Sequence, residues 1–406
     1  MRIAIVHHWL VSQGGGERVV EALALMFPEA DIFTLVASPK GIPKALQDRS
    51  ITQSFLGRLP FSTRIYRHLL PLYPLAVEQL DLSGYDMVIS SDAGPMKGVI
   101  TSPDAIHICY CHSPMRYVWN KYRDYSDQLS GISKYAFSLS AHYVRNWDFC
   151  AAQRVTHFVA NSNNVAARIR QYYARESTVL YPPVDTSKGH ISEFVNDHYL
   201  TVGRLVSYKR LDLIISACNR LGRKLRIIGS GPEEDRLRSI AGRTIEFIGE
   251  VDGPTLWQEY ARCRALLFAA EEDFGMVPVE AQACGRPVIA YGKGGALESI
   301  SHAKGSPDCG LATGIFFMNQ TVHGLSNAIL DFESRERQFH PPAIRAWAQK
   351  FDSIHFVNKF QSFVRQVIAS GPYSFQEEMA HSLEESASEI EQPNEAQISL
   401  HRPAHV

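Results

Sequence analysis

The sequence predicts an α/β protein that is built from two doubly wound units of parallel strands. In both halves of the chain, short apolar runs alternate with segments whose apolar residues recur at helical spacing, which is typical of βαβ units. The 406 residues suffice for two or three domains that each bury a core. Near residue 184 the alternation stops and then restarts, which indicates the boundary between the units.

The first unit is predicted over residues 1–183. It opens with a short apolar strand, a run of three glycines and a helix that carries Val19, Leu23 and Met26 at helical spacing. Its strands are predicted at residues 3–6, 32–36, 87–90, 106–109 and 158–160. The unit ends near Pro182 and Pro183, because two adjacent prolines cannot continue a helix and they stiffen the chain.

The second unit is predicted over residues 184–349, beginning with a polar linker at 185–197. Its strands are predicted at residues 199–202, 225–228, 245–248, 265–268 and 287–290, with a helix from about Leu211. A last helix is predicted over residues 350–370, where apolar side chains again recur at helical spacing. Residues 371–406 form an acidic tail that we expect to be disordered, since positions 376–406 hold seven Glu, one Arg and few large apolar residues.

Composition excludes several classes of protein. The net charge of −1, from 41 Lys and Arg against 42 Asp and Glu, argues against bulk binding of nucleic acid, which needs a basic stripe. No apolar run approaches the roughly 18 residues of a membrane span, and the N-terminus does not resemble a signal peptide, so we expect a cytoplasmic protein. Seven scattered cysteines do not suggest a disulfide framework, and the Cys109-x-Cys111 pair has no second pair nearby to complete a metal site.

Ligands of open α/β sheets bind beyond the carboxyl ends of the strands, so residues that directly follow strands are the candidates for function. Gly14, Gly15 and Gly16 follow the first strand and precede the first helix. A backbone without side chains can approach a ligand closely, and the start of a helix offers free N–H groups to an anion. A tight turn without a ligand is the alternative, and the run does not match the G-x-G-x-x-G pattern of dinucleotide-binding proteins.

Two cations follow the first strand of the second unit. Arg204 closes the predicted strand, and Lys209 is predicted to begin the helix after it. A planar guanidinium and a compact ammonium at a strand end suit a diphosphate and could neutralise it as it leaves, without a metal ion. The alternative is a pair of solvated surface cations.

Two carboxylates follow a later strand, in the segment Glu272-Asp-Phe-Gly-Met-Val-Pro-Val-Glu280. Glu280 is predicted to lie in the first turn of a helix, where its carboxylate can accept hydrogen bonds from a ribose diol. Glu272 is predicted to point into the cleft, and Glu271 could take that role if the register differs by one residue. Acidic residues that only complement the helix dipole are the alternative.

These motifs resemble the family 4 retaining glycosyltransferases of the GT-B fold. The resemblance rests on Glu-x7-Glu with Phe-Gly inside it and on Glu-Ala-x-Ala-Cys-Gly-x-Pro-Val-Ile-Ala after it. It also rests on four shorter motifs that occur in the expected order along the chain. Those are Gly14-Gly-Gly-Glu-Arg-Val19, Gly229-Ser-Gly-Pro232, Phe247-Ile-Gly-Glu-Val251 and Gly294-Gly-Ala-Leu-Glu298. The acidic tail alone stands outside it. The resemblance implies two Rossmann-like domains that face a cleft, with the last helix crossing back to the first domain and acting as a hinge.

The resemblance also implies roles for individual residues. Catalysis would involve His112, Arg204, Lys209 and Glu272, with the histidine beside the sugar and the two cations on the departing diphosphate. The donor would be bound by Gly15, Gly16, Arg204, Lys209, Gly229, Val251, Phe274, Gly275, Met276 and Glu280. Glu280 would hold the ribose, and Gly229 and Val251 would line the base pocket. Arg116 and Tyr117 are candidates to shape the same cleft.

The family is metal-independent and needs no cofactor beyond its nucleotide-sugar substrate, and we expect the same of this chain. His7-His8 could be a metal pair, but no acidic partner follows at ligand spacing, so we interpret the two residues as cleft lining or as a strand end. No second carboxylate is evident as a nucleophile. For a retaining reaction this favours attack by the acceptor on the face that the diphosphate leaves.

Residues 40–70 combine six Lys and Arg, against one Asp, with large apolar side chains. Such a segment could lie on an anionic membrane, or it could be an amphipathic helix that packs on its own domain. The resemblance to mannosyltransferase-like members of polysaccharide pathways makes GDP-mannose the preferred donor and a polyprenyl-diphosphate-linked glycan a suitable acceptor at the inner membrane face.

Other functions remain open at this stage. The donor could be a UDP-sugar, or the chain could bind a nucleotide sugar or a glycan without turning it over. A nicotinamide oxidoreductase is disfavoured, because the glycine loop does not match and the second strand closes with Thr34, Leu35 and Val36 rather than an acid.

Overall fold

The computed structural model describes residues 1–302 and 312–370, and the acidic tail predicted at 371–406 lies outside these residues. Within them the chain forms two parallel sheets, one of seven strands and one of six. The two-domain α/β architecture that the sequence predicts is confirmed. A GT-B arrangement follows, because each sheet carries helices on both faces and a cleft lies between the two domains.

The first sheet has the strand order β3-β2-β1-β4-β5-β6-β7. Its strands are β1 (Ile3–His7), β2 (Asp31–Thr34), β3 (Ile51–Gln53), β4 (Met87–Asp92), β5 (Ile106–Cys111), β6 (His157–Ala160) and β7 (Ser177–Val179). The helices around it are α1 (Gly15–Met26), α2 (Ser62–Ile65), α3 (Tyr73–Glu78), α4 (Tyr122–Ser126), α5 (Gly131–Gln153) and α6 (Asn163–Tyr173).

The second sheet has the strand order β10-β9-β8-β11-β12-β13. Its strands are β8 (Tyr199–Val202), β9 (Leu225–Ile228), β10 (Ile245–Gly249), β11 (Leu266–Phe268), β12 (Val288–Tyr291) and β13 (Gly314–Phe317). The later helices are α7 (Leu211–Leu221), α8 (Glu234–Ile240), α9 (Gly253–Arg262), α10 (Met276–Ala283), α11 (Ala296–Ser299), α12 (Val322–Arg335), α13 (Pro341–Ala348) and α14 (Ser353–Ser370).

Alternating side chains on the first strand explain why its sheet is covered on both faces. Ile5 is fully buried with α1 on one face, whereas its neighbours Ala4 and Val6 are buried in a separate cluster on the other face. We call the domain of the first sheet the front domain and the domain of the second sheet the rear domain. In both sheets the strand order reverses between two central strands, which are β1 and β4 in the front domain and β8 and β11 in the rear domain. These reversals are where open α/β sheets bind their ligands.

The last helix returns to the front domain, as expected from the resemblance. Phe356, Phe360 and Val364 of α14 are buried in the same cluster as Ile5 and Tyr110. Phe356 and Tyr110 pack edge to face, with ring centroids 5.6 Å apart. The helix that follows the rear domain therefore completes the core of the front domain.

The two points where the chain crosses between the domains are joined to each other. Val184 N–H donates to the Phe351 carbonyl at 3.2 Å, and Ser353 N–H donates to the Val184 carbonyl at 3.0 Å. The Thr186 hydroxyl also donates to the Asp352 carboxylate. A paired double crossing of this kind fixes the axis about which the domains can move.

The structure corrects several local predictions. Strands β3, β7 and β13 were not predicted: β3 and β7 are three-residue strands rich in polar residues, and β3, β7 and β13 all lie at sheet edges. Residues 40–70 do not form one amphipathic helix. They form β3 and short helical turns, in which Leu56, Tyr66 and Leu70 are buried against the front domain.

Two site residues also differ from their predicted positions along the helices. Lys209 does not begin α7: it ends a single 3₁₀ turn, and Arg210, with φ +55°, separates that turn from the helix at Leu211. Glu280 is the fifth residue of α10 rather than part of its first turn, because the helix already begins at Met276. Gly275 permits that early start through its φ of +87°.

Within the described ranges, no helix is both long and apolar enough to span a bilayer.

We expect Phe360→Ala to lower the free energy of unfolding by about 3–5 kcal/mol, because the ring is fully buried between α14 and the front sheet. Urea unfolding measures the loss. Ile354→Ala, at an exposed position of the same helix, is the matched control and should cost no more than about 0.5 kcal/mol. Equal losses in the two variants would contradict the packing of α14 on the front domain.

Candidate active site

The cleft is closed by contacts between the start of α1 and the start of α10. Arg18 of α1 donates to the Glu280 carboxylate of α10. A Cβ atom built at Gly15 would lie 2.9 Å from the Met276 sulfur, so a side chain there would collide with the rear domain. The glycine loop and the predicted donor-binding helix thus meet across the cleft.

A group of histidines lies behind the glycine loop. The His7 and His8 rings are 4.1 Å apart, and the His7 and His112 rings are 6.3 Å apart. Ser91 Oγ lies 2.8 Å from His112 Nε2 and 3.2 Å from His7 Nδ1, and so joins two of the rings. A Cβ at Gly16 would lie 3.7 Å from His112 Nε2, which places this histidine next to the loop.

Burial keeps His8 and His112 neutral. Desolvation, with a smaller contribution from His7, lowers the pKa of His112 to about 3. Burial and the charge of His7 also lower the pKa of His8 well below its usual value. A neutral imidazole can exchange hydrogen bonds with a sugar hydroxyl but brings no positive charge.

The side chains predicted to bind the sugar and the diphosphate, Glu272 and Lys209, face each other in the rear domain. Lys209 Nζ donates to the Glu272 carboxylate, and both side chains are mostly buried. Glu271, the alternative, instead lies 3.3 Å from Arg168 of the front domain. Arg204 follows β8 at the surface, and within the described part of the chain it forms no ion pair.

Close backbone packing fixes the loop that carries Glu272. Gly295 N–H donates to the Glu272 carbonyl at 2.9 Å, and Glu272 pairs with Gly294 as an isolated parallel bridge. A Cβ at Gly294 would lie 2.3 Å from the Glu272 carbonyl oxygen. The Gly294-Gly295 motif is therefore required by the approach of this loop.

Glu280 has two partners. Tyr260 donates to Oε2 at 2.7 Å, and Arg18 contacts Oε1. Burial, together with Glu280, raises the pKa of the Tyr260 hydroxyl well above its usual value, so the tyrosine remains a donor. The carboxylate is fixed from within its own domain and presents Oε1 to the cleft.

The other predicted residues occupy the same edge of the rear sheet. Gly229 has φ +129°, and a Cβ there would lie 2.1 Å from the Gly203 carbonyl oxygen. Val251 follows β10 and packs against the core of the domain. The Phe274 ring points away from the cleft, towards Tyr181 and Phe351 at centroid distances of 5.3 and 5.5 Å.

The sequence did not single out Asp273 for a role of its own. Its carboxylate is nearly buried and is bound by Arg116, with Nε to Oδ2 at 3.0 Å, and by Arg168. Burial alone would raise the pKa of Asp273, but the two guanidinium groups hold it below its usual value. The Ser162 hydroxyl donates to the Asp273 carbonyl at 2.6 Å.

Arg18, Arg168 and Tyr260 were also not predicted. A signal existed for Arg18, which lies in the glycine motif, whereas Arg168 and Tyr260 lie in helices without a motif. Arg116 does shape the cleft through Asp273. Tyr117 turns its hydroxyl to the Met115 sulfur at 3.2 Å.

In residues 1–302 and 312–370, no group of three or more His, Cys, Asp or Glu side chains is arranged to hold a metal ion.

Two family models match the chain. The model described as Glycosyltransferase Family 4 matches residues 13–188, and the model described as Glycosyl transferases group 1 matches residues 196–346.

Two curated relatives carry mannosyltransferase names. The GDP-mannose-dependent monoacylated alpha-(1-6)-phosphatidylinositol monomannoside mannosyltransferase of Corynebacterium glutamicum is 34% identical over 118 residues, which are 25% of this chain and 31% of that protein. The alpha-1,3/1,6-mannosyltransferase ALG2 of Saccharomyces cerevisiae is 23% identical over 320 residues, or 64% of this chain and 61% of that protein. The chain spans 29–32% of the length of the first curated relatives that it matches.

Among solved structures, the Anabaena protein HepE in complex with UDP covers 90% of this chain and 100% of its own, with a TM-score of 0.65 and 16% identity. This similarity concerns the fold.

The neutral histidines predict a loss of stability in acid. Below pH 6.5 the histidines of the unfolded chain bind protons, whereas burial lowers the pKa of His107 to about 4 and that of His112 to about 3 in the folded chain. The contribution of these two histidines to the free energy of unfolding is therefore fully present above pH 6.5 and is lost as the pH falls. When the pH falls from 7 to 5, we expect each of these two histidines to lower the free energy of unfolding by about 1–2 kcal/mol.

Urea unfolding at the two pH values checks this expectation. In His107→Asn the difference between pH 7 and pH 5 should shrink by that amount, whereas in His142→Asn, at an exposed position, it should equal that of the wild type. An unchanged difference in His107→Asn would show that His107 is not held neutral.

Proposed function

We propose a hexosyl transfer for this chain, which belongs to the family 4-like glycosyltransferases of the GT-B fold. The hexose would move from a nucleoside diphosphate sugar to a glycan acceptor in polysaccharide biosynthesis, with retention at the anomeric carbon. The observation that carries the proposal is the meeting of the glycine loop with α10 across the cleft, through Arg18 and Glu280, beside the Lys209–Glu272 pair.

We propose GDP-mannose as the donor. Two curated relatives are named mannosyltransferases, and one of those names specifies GDP-mannose. A UDP-sugar is the second candidate, because a solved structure of the same fold holds UDP. Base identity would be read beside Gly229 and Val251, where the ends of β9 and β10 form the wall of the pocket.

Each part of the donor has a suitable group. Hydroxyls of the ribose would donate to Glu280, which Tyr260 holds from within the rear domain. Arg204 and Lys209, with the N–H groups at Gly15 and Gly16, would surround the diphosphate. Glu272 and the loop at Gly275 and Met276 would bind the transferred sugar.

The transfer needs positioning and charge stabilisation rather than an enzyme nucleophile. The bond between the anomeric carbon and the phosphate oxygen breaks, and the acceptor oxygen bonds to that carbon on the same face. The acceptor proton passes to the departing phosphate oxygen. Arg204 and Lys209 supply the positive charge that a metal ion would otherwise provide, so we propose that no metal is required.

His112 would support the sugar from the front domain. Its pKa of about 3 leaves the ring neutral, so it can share a hydrogen bond with a sugar hydroxyl while Ser91 fixes its Nε2 side. A positive charge in this place would oppose the charge that develops on the anomeric carbon.

A protein that binds a nucleotide sugar without turning it over is the competing function. Binding of GDP-mannose without release of GDP in the presence of acceptor lipid would favour it, and steady release of GDP would exclude it. The Lys209–Glu272 pair favours an enzyme, because an ammonium can stabilise the departing diphosphate and a carboxylate can bind the transferred sugar.

We expect Lys209→Ala to lower the rate of hexose transfer by a factor of about 10²–10³, because a preorganised charge on the leaving group is lost. Glu272→Gln should lose activity as well, since the amide lacks the negative charge that pairs with Lys209 and accepts strongly from sugar hydroxyls. The measurement is the release of nucleoside diphosphate from a panel of GDP-, UDP- and ADP-sugars in the presence of lipid extract.

The matched control is Lys224→Ala, which removes an exposed lysine that pairs with Asp197 at 2.9 Å in the same domain. It should transfer at the wild-type rate. Full activity in Lys209→Ala would contradict the proposed role of this residue in transfer.

We further propose that the front domain touches an anionic membrane surface, which suits a lipid-linked acceptor at the inner face. In the described chain, Arg58, Arg64 and Arg67 are exposed and have no carboxylate within ion-pair distance. Phe61 between them is 71% exposed. Cations without partners beside an exposed ring suit an anionic lipid layer.

A second apolar feature lies on the same domain. On α5, an apolar ridge of Ile132, Tyr135, Leu139 and Tyr143 is 51–87% exposed at helical spacing. The turn at 70–72 packs against α5, so the helix that carries the ridge lies next to the end of the basic segment. Large apolar and tyrosine side chains at a polar boundary suit shallow insertion into a bilayer.

We expect the triple variant Arg58→Gln, Arg64→Gln, Arg67→Gln to bind vesicles of phosphatidylglycerol and phosphatidylcholine roughly 100-fold more weakly. The estimate follows from about 1 kcal/mol per basic residue near an anionic surface. Vesicle sedimentation measures binding, and turnover of free donor should be unchanged.

The control is the triple variant Arg170→Gln, Arg236→Gln, Arg238→Gln, which removes the same charge from arginines that are paired on the surface. Equal loss of binding in both triple variants would indicate a nonspecific charge effect and would contradict a docking surface at residues 58–67.

A further inference from the structure

The Asp273 carboxylate is an enclosed charge on the cleft side of the rear domain. Its side chain is 7% exposed, and both of its cationic partners, Arg116 and Arg168, belong to the front domain. The Ser162 hydroxyl, also of the front domain, donates to the Asp273 carbonyl at 2.6 Å. One residue of the rear domain is thus held by three residues of the other domain, through side chain and backbone together.

Asp273 lies in the chain between a residue of the proposed sugar site and a residue packed at the domain crossing. Its neighbour Glu272 pairs with Lys209, and its other neighbour, Phe274, is buried in the cluster at the domain crossing with Val184 and Phe351. A displacement of Asp273 therefore moves the Glu272 carboxylate. On the front side, Arg116 lies four residues after His112, in the segment predicted to face the acceptor.

We propose that Asp273 is a positioning residue: its pairing with Arg116 and Arg168 holds the Glu272 loop in the geometry for transfer only when the domains are closed. This inference rests on the proposed glycosyl transfer and adds a residue that touches neither substrate. Closure of the cleft and assembly of the sugar site become one event, so an open enzyme binds the nucleotide without being competent to break the donor bond.

A contribution to stability alone explains the pairing of Asp273 with two arginines less well than a role in positioning does. Buried ion pairs gain little net stability, because the cost of removing the charges from water offsets their attraction. The same pairs specify geometry well, since a guanidinium binds a carboxylate in a fixed plane. Arg168 also lies 3.3 Å from Glu271, so one guanidinium contacts the residues on both sides of Glu272.

The test compares Asp273→Asn, which keeps the shape and removes the charge, with the wild-type protein. We expect kcat for hexose transfer to fall roughly 100-fold, as a displacement of about 1 Å of a catalytic group can produce. The affinity for free GDP or UDP, measured by calorimetry, should change less than about threefold, because most of the proposed nucleotide contacts, at Arg204, Lys209, Gly229, Val251 and Glu280, lie within the rear domain. X-ray scattering should show a larger radius of gyration.

Arg168→Gln should change kcat and the radius of gyration in the same direction, and the double variant should lose less than the sum of the two single variants, because both break the Arg168–Asp273 pair. The control is Arg226→Gln, which breaks the pairs of this arginine with Glu246 and Glu259 inside the rear domain. It should leave kcat and the radius of gyration unchanged.

Asp273→Asn with wild-type kcat, or with lower kcat but an unchanged radius of gyration, would overturn the proposal. A fall in nucleotide affinity that equals the fall in kcat would also overturn it, because the residue would then support the whole domain rather than the loop. If the wild-type protein transfers no hexose from any donor, the proposed function fails. The scattering comparison still tests the closure contact in that case.

Discussion

The cleft of this protein depends on the attraction between arginines of the front domain and carboxylates of the rear domain. Arg18 meets Glu280 near the donor helix, and Arg116 and Arg168 meet Asp273 beside the sugar loop. Pairs with a buried carboxylate gain little net stability, because the cost of removing the charges from water offsets their attraction, so they can form and separate as the cleft closes and opens. Their arrangement across one cleft gives the closed state a single geometry.

Rigid sheets make that geometry useful. The reversals of strand order at β1 and β8 place the glycine loop, Arg204 and the Glu272 loop at facing edges. The paired crossings at Val184 and Phe351 then limit the relative motion of the two edges. Glycines at positions 294 and 295 let backbones approach where any side chain would collide. We therefore expect each group of the candidate site to move with its own domain.

Much of this could be predicted from the sequence, for reasons that are local. Alternation of apolar runs located the sheets. The Glu-x7-Glu motif singled out Glu272, which follows β11 closely, and Glu280, which lies in the next helix. The exact helix start was not accessible, because it depends on the conformation of Gly275 and Arg210. Arg168 and Tyr260 were missed for another reason. Each acts on a residue far away in the chain, and no spacing within a single segment records such a contact.

The distribution of charge also bears on why a diphosphate suits this cleft. Lys209 is already neutralised by Glu272, and Arg18 by Glu280, whereas Arg204 has no ion pair within the described residues. An arriving diphosphate would therefore first meet Arg204 and could then compete for Lys209. If Lys209 turned towards the phosphates, Glu272 would be released to accept hydrogen bonds from the sugar. In the proposed transfer, this exchange of one partner for another would link recognition of the leaving group to recognition of the hexose.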